Sequence, residues 1–227
     1  MTSFRILAVS LSWAVLASPL LSAVDFSRYR SFRIGTDLAT IAGQARMDPS
    51  QAKVVHRRPA LIQELEWRPQ PLGPSTQAEA VSEVVFSFYS GELYRLVVNY
   101  DRYKTEGLTA EDLIAAISAT YGSATRSAAE IVLPSIYGDN ETLEILARWE
   151  DAEYSFNLVR FSHQTSFTLV ALSKRLDVLA RAAVIEAVRL DAQEAPQREI
   201  ALQNRQAEEN RVQQEKARLA NKPGFRP

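Results

Sequence analysis

The chain has 227 residues, a formal charge of −1 and no cysteine. A charge so close to zero provides no electrostatic attraction for nucleic acid or for an anionic membrane. The lack of cysteine excludes disulfides, cysteine nucleophiles, thiolate metal sites and lipidation at a lipobox cysteine.

The first residues have the pattern of a targeting segment. A short basic start with Arg5 precedes the apolar run ILAVSLSWAVLASPLL and the small residues LSA. This pattern predicts a signal peptide over residues 1–23, cleaved after Ala23. A membrane anchor is the alternative, but serines and Pro19 interrupt the run, which is shorter than the ~20 apolar residues that span a bilayer. We therefore expect an exported protein, periplasmic or extracellular, with no membrane span after cleavage.

Short helix and strand patterns alternate after this segment. Thr36 is predicted to cap a short helix in which Leu38, Ile41 and Ala42 share one face. The stretch DPSQAKVVHRRP is ambiguous, because Asp48 before a proline favours a helix start whereas two adjacent valines favour a strand. LIQELEW alternates apolar and polar residues and predicts a half-buried strand.

The most strongly patterned stretch is FSFYSGELYRLVVNY, residues 86–100, which predicts a β-hairpin. A bulged three-residue loop, Tyr89 to Gly91, places most of the apolar side chains on one face. A two-residue loop at Ser90 and Gly91 is the alternative; it pairs Phe88 with Leu93 and mixes the two faces.

The bulged loop defines two faces of this hairpin. The inner face is predicted to consist of Val84, Phe86, Phe88, Tyr94, Leu96, Val98 and Tyr100. The opposite face presents Tyr89, Leu93, Arg95 and Val97. Aromatic and arginine side chains on an exposed sheet face are typical of protein interfaces. These four residues are therefore the candidate protein-binding face.

The clearest helix signals lie in EGLTAEDLIAAISATYG. Thr109 is the predicted N-cap, Asp112 completes an acidic capping box, and Leu108 with Leu113 forms a hydrophobic staple. Gly122 ends the helix. The predicted buried stripe consists of Leu113, Ile114, Ile117 and Tyr121.

Three strands are predicted after the patternless segment SATRSAAEIVLPSIYGDNE, in TLEILARWE, YSFNLVRFS and SFTLVALSK. The order helix, strand, hairpin therefore occurs twice. Trp67 matches Trp149, and the triplet 96–98 matches the triplet 169–171. This recurrence predicts an internal repeat, with chance recurrence as the alternative. For the two tryptophans, plain core packing is the favoured interpretation.

Three of these stretches resemble a known family. GTDLATIAGQA and GLTAEDLIAAISATYG are similar to the G-M-T-x-x-x-V helix start, and FYSGELYRL to the F-x-x-G-x-L hairpin, of the BamE (SmpA/OmlA) type of outer-membrane lipoprotein fold. The double arrangement resembles that of the β-lactamase inhibitory protein. The resemblance covers roughly residues 30–175. It implies two helix-plus-antiparallel-meander modules but neither a lipid anchor nor any functional residue.

The last fifty or so residues differ in kind. Asp177 is the predicted N-cap of a helix that docks through its apolar side and exposes Arg181, Glu186 and Arg189. Pro196 is predicted to interrupt this helix by a kink or a restart. The polar remainder keeps too few heptad positions for a sustained coiled coil, so a solvated, partly frayed helix is favoured over a partner-binding coil.

The sequence therefore predicts an α+β fold whose antiparallel strands form one or two sheets, followed by a long C-terminal helix. The predicted divisions are a first module over 24–103, a second module over 104–176, a docked helix over 177–196 and a polar, partly disordered helical tail over 197–227.

Few residues suggest catalysis. His56 lies in the basic cluster KVVHRRP, which disfavours a metal cation, and His163 lies in a predicted turn. No G-x-S-x-G elbow, phosphate loop, dinucleotide fingerprint or EF-hand pattern occurs. We therefore expect a non-catalytic protein without cofactor or metal. The alternative is an exported hydrolase built from His163, Ser162 and a distant acid.

The favoured function is binding of another envelope or extracellular protein. Nucleic acid is not an expected partner, because the basic residues are scattered rather than clustered in a stripe. A module that only stabilises a larger assembly fits the same patterns. The oligomeric state has no signature in the sequence.

Overall fold

A computed structural model describes residues 24–69, 80–125, 130–133, 141–160, 166–224 and 226. Over these residues the fold is α+β, as predicted, with one eight-stranded antiparallel sheet, helices on it and a long C-terminal helix. The predicted signal peptide lies outside the described residues.

The first described element is a small hairpin that the sequence did not predict. Its strands are β1, Arg28–Tyr29, and β2, Phe32–Arg33. Helix α1, Leu38–Ala45, follows. Its N-cap is Asp37 rather than the predicted Thr36, because both carboxylate oxygens of Asp37 accept hydrogen bonds from Thr40.

The ambiguous segment DPSQAKVVHRRP forms a helical turn first and a strand directly after it. Asp48 caps a single 3-10 turn, Pro49–Gln51, and β3, Lys53–His56, begins two residues later. The predicted half-buried strand is β4, Ile62–Trp67. The patterned hairpin follows as β5, Val81–Tyr89, and β6, Glu92–Tyr100.

The turn of this hairpin is the two-residue alternative, so the predicted three-residue loop is wrong. Ser90 and Gly91 have φ angles of 50° and 89°, which is the positive-φ pair of a tight hairpin turn. Phe88 consequently lies opposite Leu93.

A bulge is present, but it lies within β6 instead of in the loop. Ser87 pairs with Arg95 while its neighbour Phe88 pairs with Leu93, which leaves Tyr94 as the extra residue. The bulge reverses the facing of the two residues at the start of the strand. Leu93 therefore lies on the inner face and Tyr94 on the outer face, the opposite of the prediction.

Helix α2, Ala110–Tyr121, confirms the predicted capping box. The Asp112 amide donates to Thr109 Oγ1 at 3.2 Å, and the Thr109 amide donates to Asp112 Oδ2 at 2.8 Å. Gly122 follows as the C-cap. Leu113 is buried, and the rest of the predicted stripe is half-buried against the core.

The second half of the sheet contains one strand more than predicted. Strand β7, Glu130–Leu133, lies in the segment that has no clear pattern. The three predicted strands are β8, Glu141–Glu150, β9, Tyr154–Arg160, and β10, Phe167–Ser173. The strand order across the sheet is β3-β4-β5-β6-β10-β9-β8-β7.

The centre of the sheet is the antiparallel pair β6 and β10, in which Val97 lies opposite Val170. From this centre each half runs outward in the reverse of its chain order. In the third strand of each half, Trp67 lies opposite Val84 and Trp149 lies opposite Phe156. The two tryptophans thus occupy matching places.

The inner face carries the main core, beneath α1, α2 and the β1–β2 hairpin. Trp149 Nε1 donates to Ser118 Oγ at 3.1 Å and to the Gly122 carbonyl at 3.0 Å, which ties α2 to the sheet. The largest fully buried side chains of this core are Trp149, Phe86, Phe88, Phe156, Ile41, Leu65, Leu93, Leu96, Leu158, Leu169 and Val84.

Helix α3, Lys174–Asn221, follows β10 without a loop. The predicted start at Asp177 is wrong: Ser173 is the N-cap, and Asp177 lies buried in the first turn. The helix packs on the outer sheet face through the buried residues Leu176, Ala180, Ala183 and Ala187.

Pro196 lies inside α3 and does not end it, so the predicted division between a docked helix and a separate tail is not an element boundary. A mid-helix proline removes one backbone hydrogen bond. The side chain of Arg198 bridges the proline, with Nη2 2.7 Å from Asp191 Oδ1 and 3.0 Å from Glu194 Oε2. At ~1.5 Å per residue the helix is about 72 Å long.

Candidate protein-binding surface

The four residues of the predicted binding face do not form one exposed surface. Leu93 is fully buried in the inner core, and Arg95 is only 3% exposed. Tyr89 and Val97 are half-buried. The structure brings Tyr89, Arg95 and Val97 to the outer face and separates Leu93 from them, because of the bulge at Tyr94.

Helix α3 covers part of this outer face. Tyr94 and Ile62 of the sheet pack against Leu176 and Ala180 of α3, with Tyr89 at the edge of the same cluster. The sequence left open whether this face is bare or covered by a helix, and here α3 covers part of it. The sequence predicted that this helix docks, but it placed the helix start at Asp177, beyond Leu176, and did not show which sheet face the helix covers.

A buried charge cluster lies beside these contacts. Arg95 Nη2 is 3.8 Å from Glu64 Oε1 and donates to Ser87 Oγ at 3.4 Å. The guanidinium also lies over the Tyr94 ring, 5.2 Å from its centroid. Burial raises the pKa of Glu64, an effect that the charge of Arg95 opposes. Arg95 Nε and Nη1 have no hydrogen-bond partner within the described part of the chain.

Asp177 extends the cluster onto α3. Its Oδ2 atom accepts from Arg181 Nε at 2.6 Å, while Oδ1 is buried without a hydrogen-bond partner among the described residues. Burial also raises the pKa of Tyr94, which keeps this phenol neutral. The cluster brings together residues of β4, β5 and β6 beside the first turn of α3.

The described structure tests only part of the metal and catalytic chemistry that the sequence suggested. No group of three histidine, cysteine or carboxylate side chains that could hold a metal ion occurs in the described ranges. His56 is half-buried on the edge strand β3. His163 and Ser162, the residues of the hydrolase alternative, lie outside the described residues.

A second charge cluster connects a later part of α3 to the segment between β3 and β4. Arg58, in the segment between β3 and β4, donates two hydrogen bonds to the carboxylate of Glu194. Its Nη2 atom is also 3.6 Å from Asp191 Oδ1. Hydrogen bonds from Arg58, and then from Arg198, lower the pKa of Glu194 to about 2. These contacts hold α3 near the sheet edge as far as residue 194.

The side of α3 that faces away from the sheet is the main exposed apolar surface of this helix. Val178, Ile185, Val188 and Leu202 are between 54% and 71% exposed. Ala192 and Ala195 lie between them and are also exposed. We call these six residues the outward stripe. Residues seven apart in a helix lie within about 20° of one another, so Val178, Ile185 and Ala192 share one side.

Sequence reasoning missed this stripe. It assigned Arg181, Glu186 and Arg189 to the solvent side and took the apolar residues as the docked side. A helix that is apolar nearly all round needs more than one apolar neighbour. The recurrence of Val178, Ile185 and Ala192 at intervals of seven was the signal that could have revealed the stripe.

Comparisons with known proteins give no match: no family model, no curated protein and no solved structure is similar to the chain. In the described part of the chain, no helix is both long enough and apolar enough to cross a bilayer.

Proposed function

We propose that this chain is an exported, non-catalytic protein-binding module of the cell envelope or extracellular space, and that α3 is its binding element. The observation that carries the proposal is the outward stripe. Four large apolar side chains, each more than half exposed, lie on one helix whose other side is docked on the sheet.

Helix recognition explains why these residue types are placed this way. A partner reads an exposed helix through apolar anchors at intervals of three, four and seven residues. Single exposed apolar residues are ordinary, but a continuous apolar surface rimmed by polar residues marks an interaction site. Fully burying a valine, leucine or isoleucine side chain contributes about 1.5–3 kcal/mol, so a partner that covers the stripe gains substantially.

The far part of α3 supports the same role. Beyond residue 194 the helix carries exposed pairs within one turn, such as Arg211 with Glu208 and Arg218 with Glu215. Such pairs favour a solvated helix. This part of α3 contains Ala195 and Leu202, the last two residues of the outward stripe, and extends the contact surface beyond the docked part of the helix.

Export is part of the proposal and rests on the N-terminal pattern. Residues 1–23 have the basic start, apolar run and small residues of a signal peptide. N-terminal sequencing of the protein isolated from the periplasm or medium is expected to begin at Val24. Recovery of an uncleaved chain from the cytoplasm would contradict this part.

We further propose that the two halves of the sheet derive from an internal repeat. Support comes from the matching strand order on either side of β6 and β10 and from the matching places of Trp67 and Trp149. The resemblance to tandem BamE-type modules points the same way and carries no functional residue with it.

The binding role is tested by placing a photo-crosslinking amino acid at Ile185 in the producing cell. Tyr103 is the matched control, because it is equally exposed, at 71%, on a different surface. We expect a discrete crosslinked species from position 185 and none from position 103. If neither position 185 nor position 178 or 202 gives a crosslink, α3 is not a binding element.

A further inference from the structure

We propose that the outward stripe binds the same stripe of a second copy of this chain, with the two α3 helices antiparallel and the symmetry axis at the level of residue 190. The proposal rests on the proposed function only in taking the stripe as the binding surface. It goes further by naming the partner, the orientation and the register.

The stripe follows a coiled-coil spacing. Steps of three and four residues alternate along one side of α3, through Val178, Arg181, Ile185, Val188, Ala192, Ala195, Glu199 and Leu202. We call these eight positions the seam; they are the outward stripe together with Arg181 and Glu199. Their spacing keeps them turned toward a neighbouring helix. The sheet does not block the seam, because α3 docks through the opposite side, at Leu176, Ala180, Ala183 and Ala187.

An antiparallel pair centred on residue 190 matches side chains by size. Val178 then faces the partner's Leu202, Ile185 faces the partner's Ala195, and Val188 faces the partner's Ala192. Two of these layers combine a large with a small side chain, which is the combination that fills a helix interface without voids.

The same register matches the two charges in the seam. Arg181 faces the partner's Glu199, and by symmetry Glu199 faces the partner's Arg181. Arg181 already donates to its own Asp177 through Nε. A guanidinium has five N–H donors in all, so it can bind a second carboxylate as well.

A parallel pair lacks this match. In a parallel arrangement each seam residue meets its own counterpart, so Arg181 meets the partner's Arg181 and Glu199 the partner's Glu199. Like charges at equivalent seam positions oppose pairing. The charge pattern therefore selects the antiparallel orientation and favours a second copy over an unrelated helix.

Two further charged residues flank the axis and do not oppose the pairing. Arg189 donates to Glu186 of its own chain at 2.8 Å. Asp191 accepts from Arg198 of its own chain at 2.7 Å. Each therefore meets its symmetry mate as part of an internally neutralised pair.

The first experiment is analytical ultracentrifugation of the full chain with charge-exchanged variants. The unaltered chain is expected to be a dimer, and Arg181→Glu and Glu199→Arg are each expected to weaken dimerisation at least tenfold. A mixture of the two variants restores both ion pairs and is expected to dimerise as tightly as the unaltered chain. If the mixture stays as weak as its components, the register is wrong.

The second experiment uses the lack of cysteine in the chain, which makes any disulfide a report of the contact. A mixture of Ile185→Cys and Ala195→Cys is expected to give several-fold more disulfide-linked dimer than either variant alone. Preferential linkage of Ile185→Cys to itself would indicate a parallel pair and overturn the proposal.

The outcomes separate this proposal from the proposed function. If the full chain is monomeric up to about 0.1 mM while the crosslinker at position 185 captures a different protein, the second copy is wrong and the binding role of α3 stands. If the chain is monomeric and no crosslink forms, both fail.

Discussion

The two faces of the eight-stranded sheet are both covered, but with different chemistry. The inner face is aromatic and aliphatic, with Phe86, Trp149 and Phe156 fully buried beneath short helices. The outer face mixes apolar residues with polar side chains that are equally inaccessible to water, Ser87, Arg95, Asn157 and Thr168. An alternating strand pattern therefore does not by itself indicate an exposed face.

The polar side chains of the outer face are tolerated because many bond to one another. Arg148 Nε donates to Asn157 Oδ1 at 2.8 Å, and Asn157 Nδ2 donates to Ser155 Oγ at 3.1 Å. Thr168 Oγ1 donates to Asn99 Oδ1 at 3.0 Å. Buried polar groups are costly only when they lack such partners. Arg95 has two nitrogens, Nε and Nη1, without a hydrogen-bond partner among the described residues, which makes it the most informative residue of this face.

The largest effect is expected from truncating the inner face. Phe86→Ala removes a ring that packs against Phe32, 4.7 Å between centroids, and against Trp67. We expect it to lower the free energy of unfolding by about 3–5 kcal/mol, measured by urea denaturation. Its half-buried strand neighbour serves as the control: Val85→Ala is expected to cost clearly less. Equal costs would show that the two faces contribute alike.

The next largest effect is expected on the outer face. Arg95→Met leaves Glu64 buried without its cation, and we expect a loss of about 3 kcal/mol at neutral pH. Adding Glu64→Gln is expected to recover most of that loss. Because burial already raises the pKa of Glu64, its carboxyl takes up a proton as the pH falls. The cost of Arg95→Met is therefore expected to shrink toward acid pH. A pH-independent cost would exclude Glu64 as its origin.

The caps of the helices on the two faces provide a smaller, matched test. Thr109→Ala removes a reciprocal capping box from α2, and we expect a loss of about 1 kcal/mol. Ser173→Ala removes from α3 one long hydrogen bond, 3.4 Å from the Leu176 amide, and is expected to cost less. Thermal unfolding of both variants measures the order; the reverse order contradicts it.

The smallest effect on stability is expected at the exposed contact between Arg58 and Glu194. The pKa of Glu194 is depressed to about 2, so this contact stabilises docking above the ordinary value of 4.5 and is lost as the pH falls from there toward 2. Arg58→Gln is expected to raise that pKa, measured by carboxyl carbon NMR, with little change in global unfolding. Arg211→Gln, which removes a pair farther along α3, is the control and should leave the pKa of Glu194 unchanged.

Local signals predicted the parts of the fold that depend on local contacts. The capping box at Thr109 and Asp112 and the stop at Gly122 were readable because every group involved lies within one or two turns of α2. The α+β class followed from alternating strand patterns and helix signals. The edge strand β7 was not predicted from the sequence, because its pairing with β8 decides that it is a strand.

The candidate site was predicted only in part. Placing Tyr89, Arg95 and Val97 on one sheet face was right, whereas placing Leu93 with them was wrong. Both hairpin turns were compatible with Ser90 and Gly91, and the choice between them is made by packing of the whole sheet. The outward stripe was missed because the sequence does not state which of two apolar helix sides meets the sheet.

The sequence by itself determined the secondary-structure class, the limits of α2, the alternation of the strands and the apolar character of α3. Only the tertiary structure decided that the two halves join through β6 and β10, that Tyr94 bulges out and Leu93 turns in, and that α3 covers Tyr94. The physical reason is the separation along the chain of the residues that decide each feature. Caps and turns are settled by neighbours a few residues away, whereas facing and cover depend on which distant surfaces bury the most apolar area together.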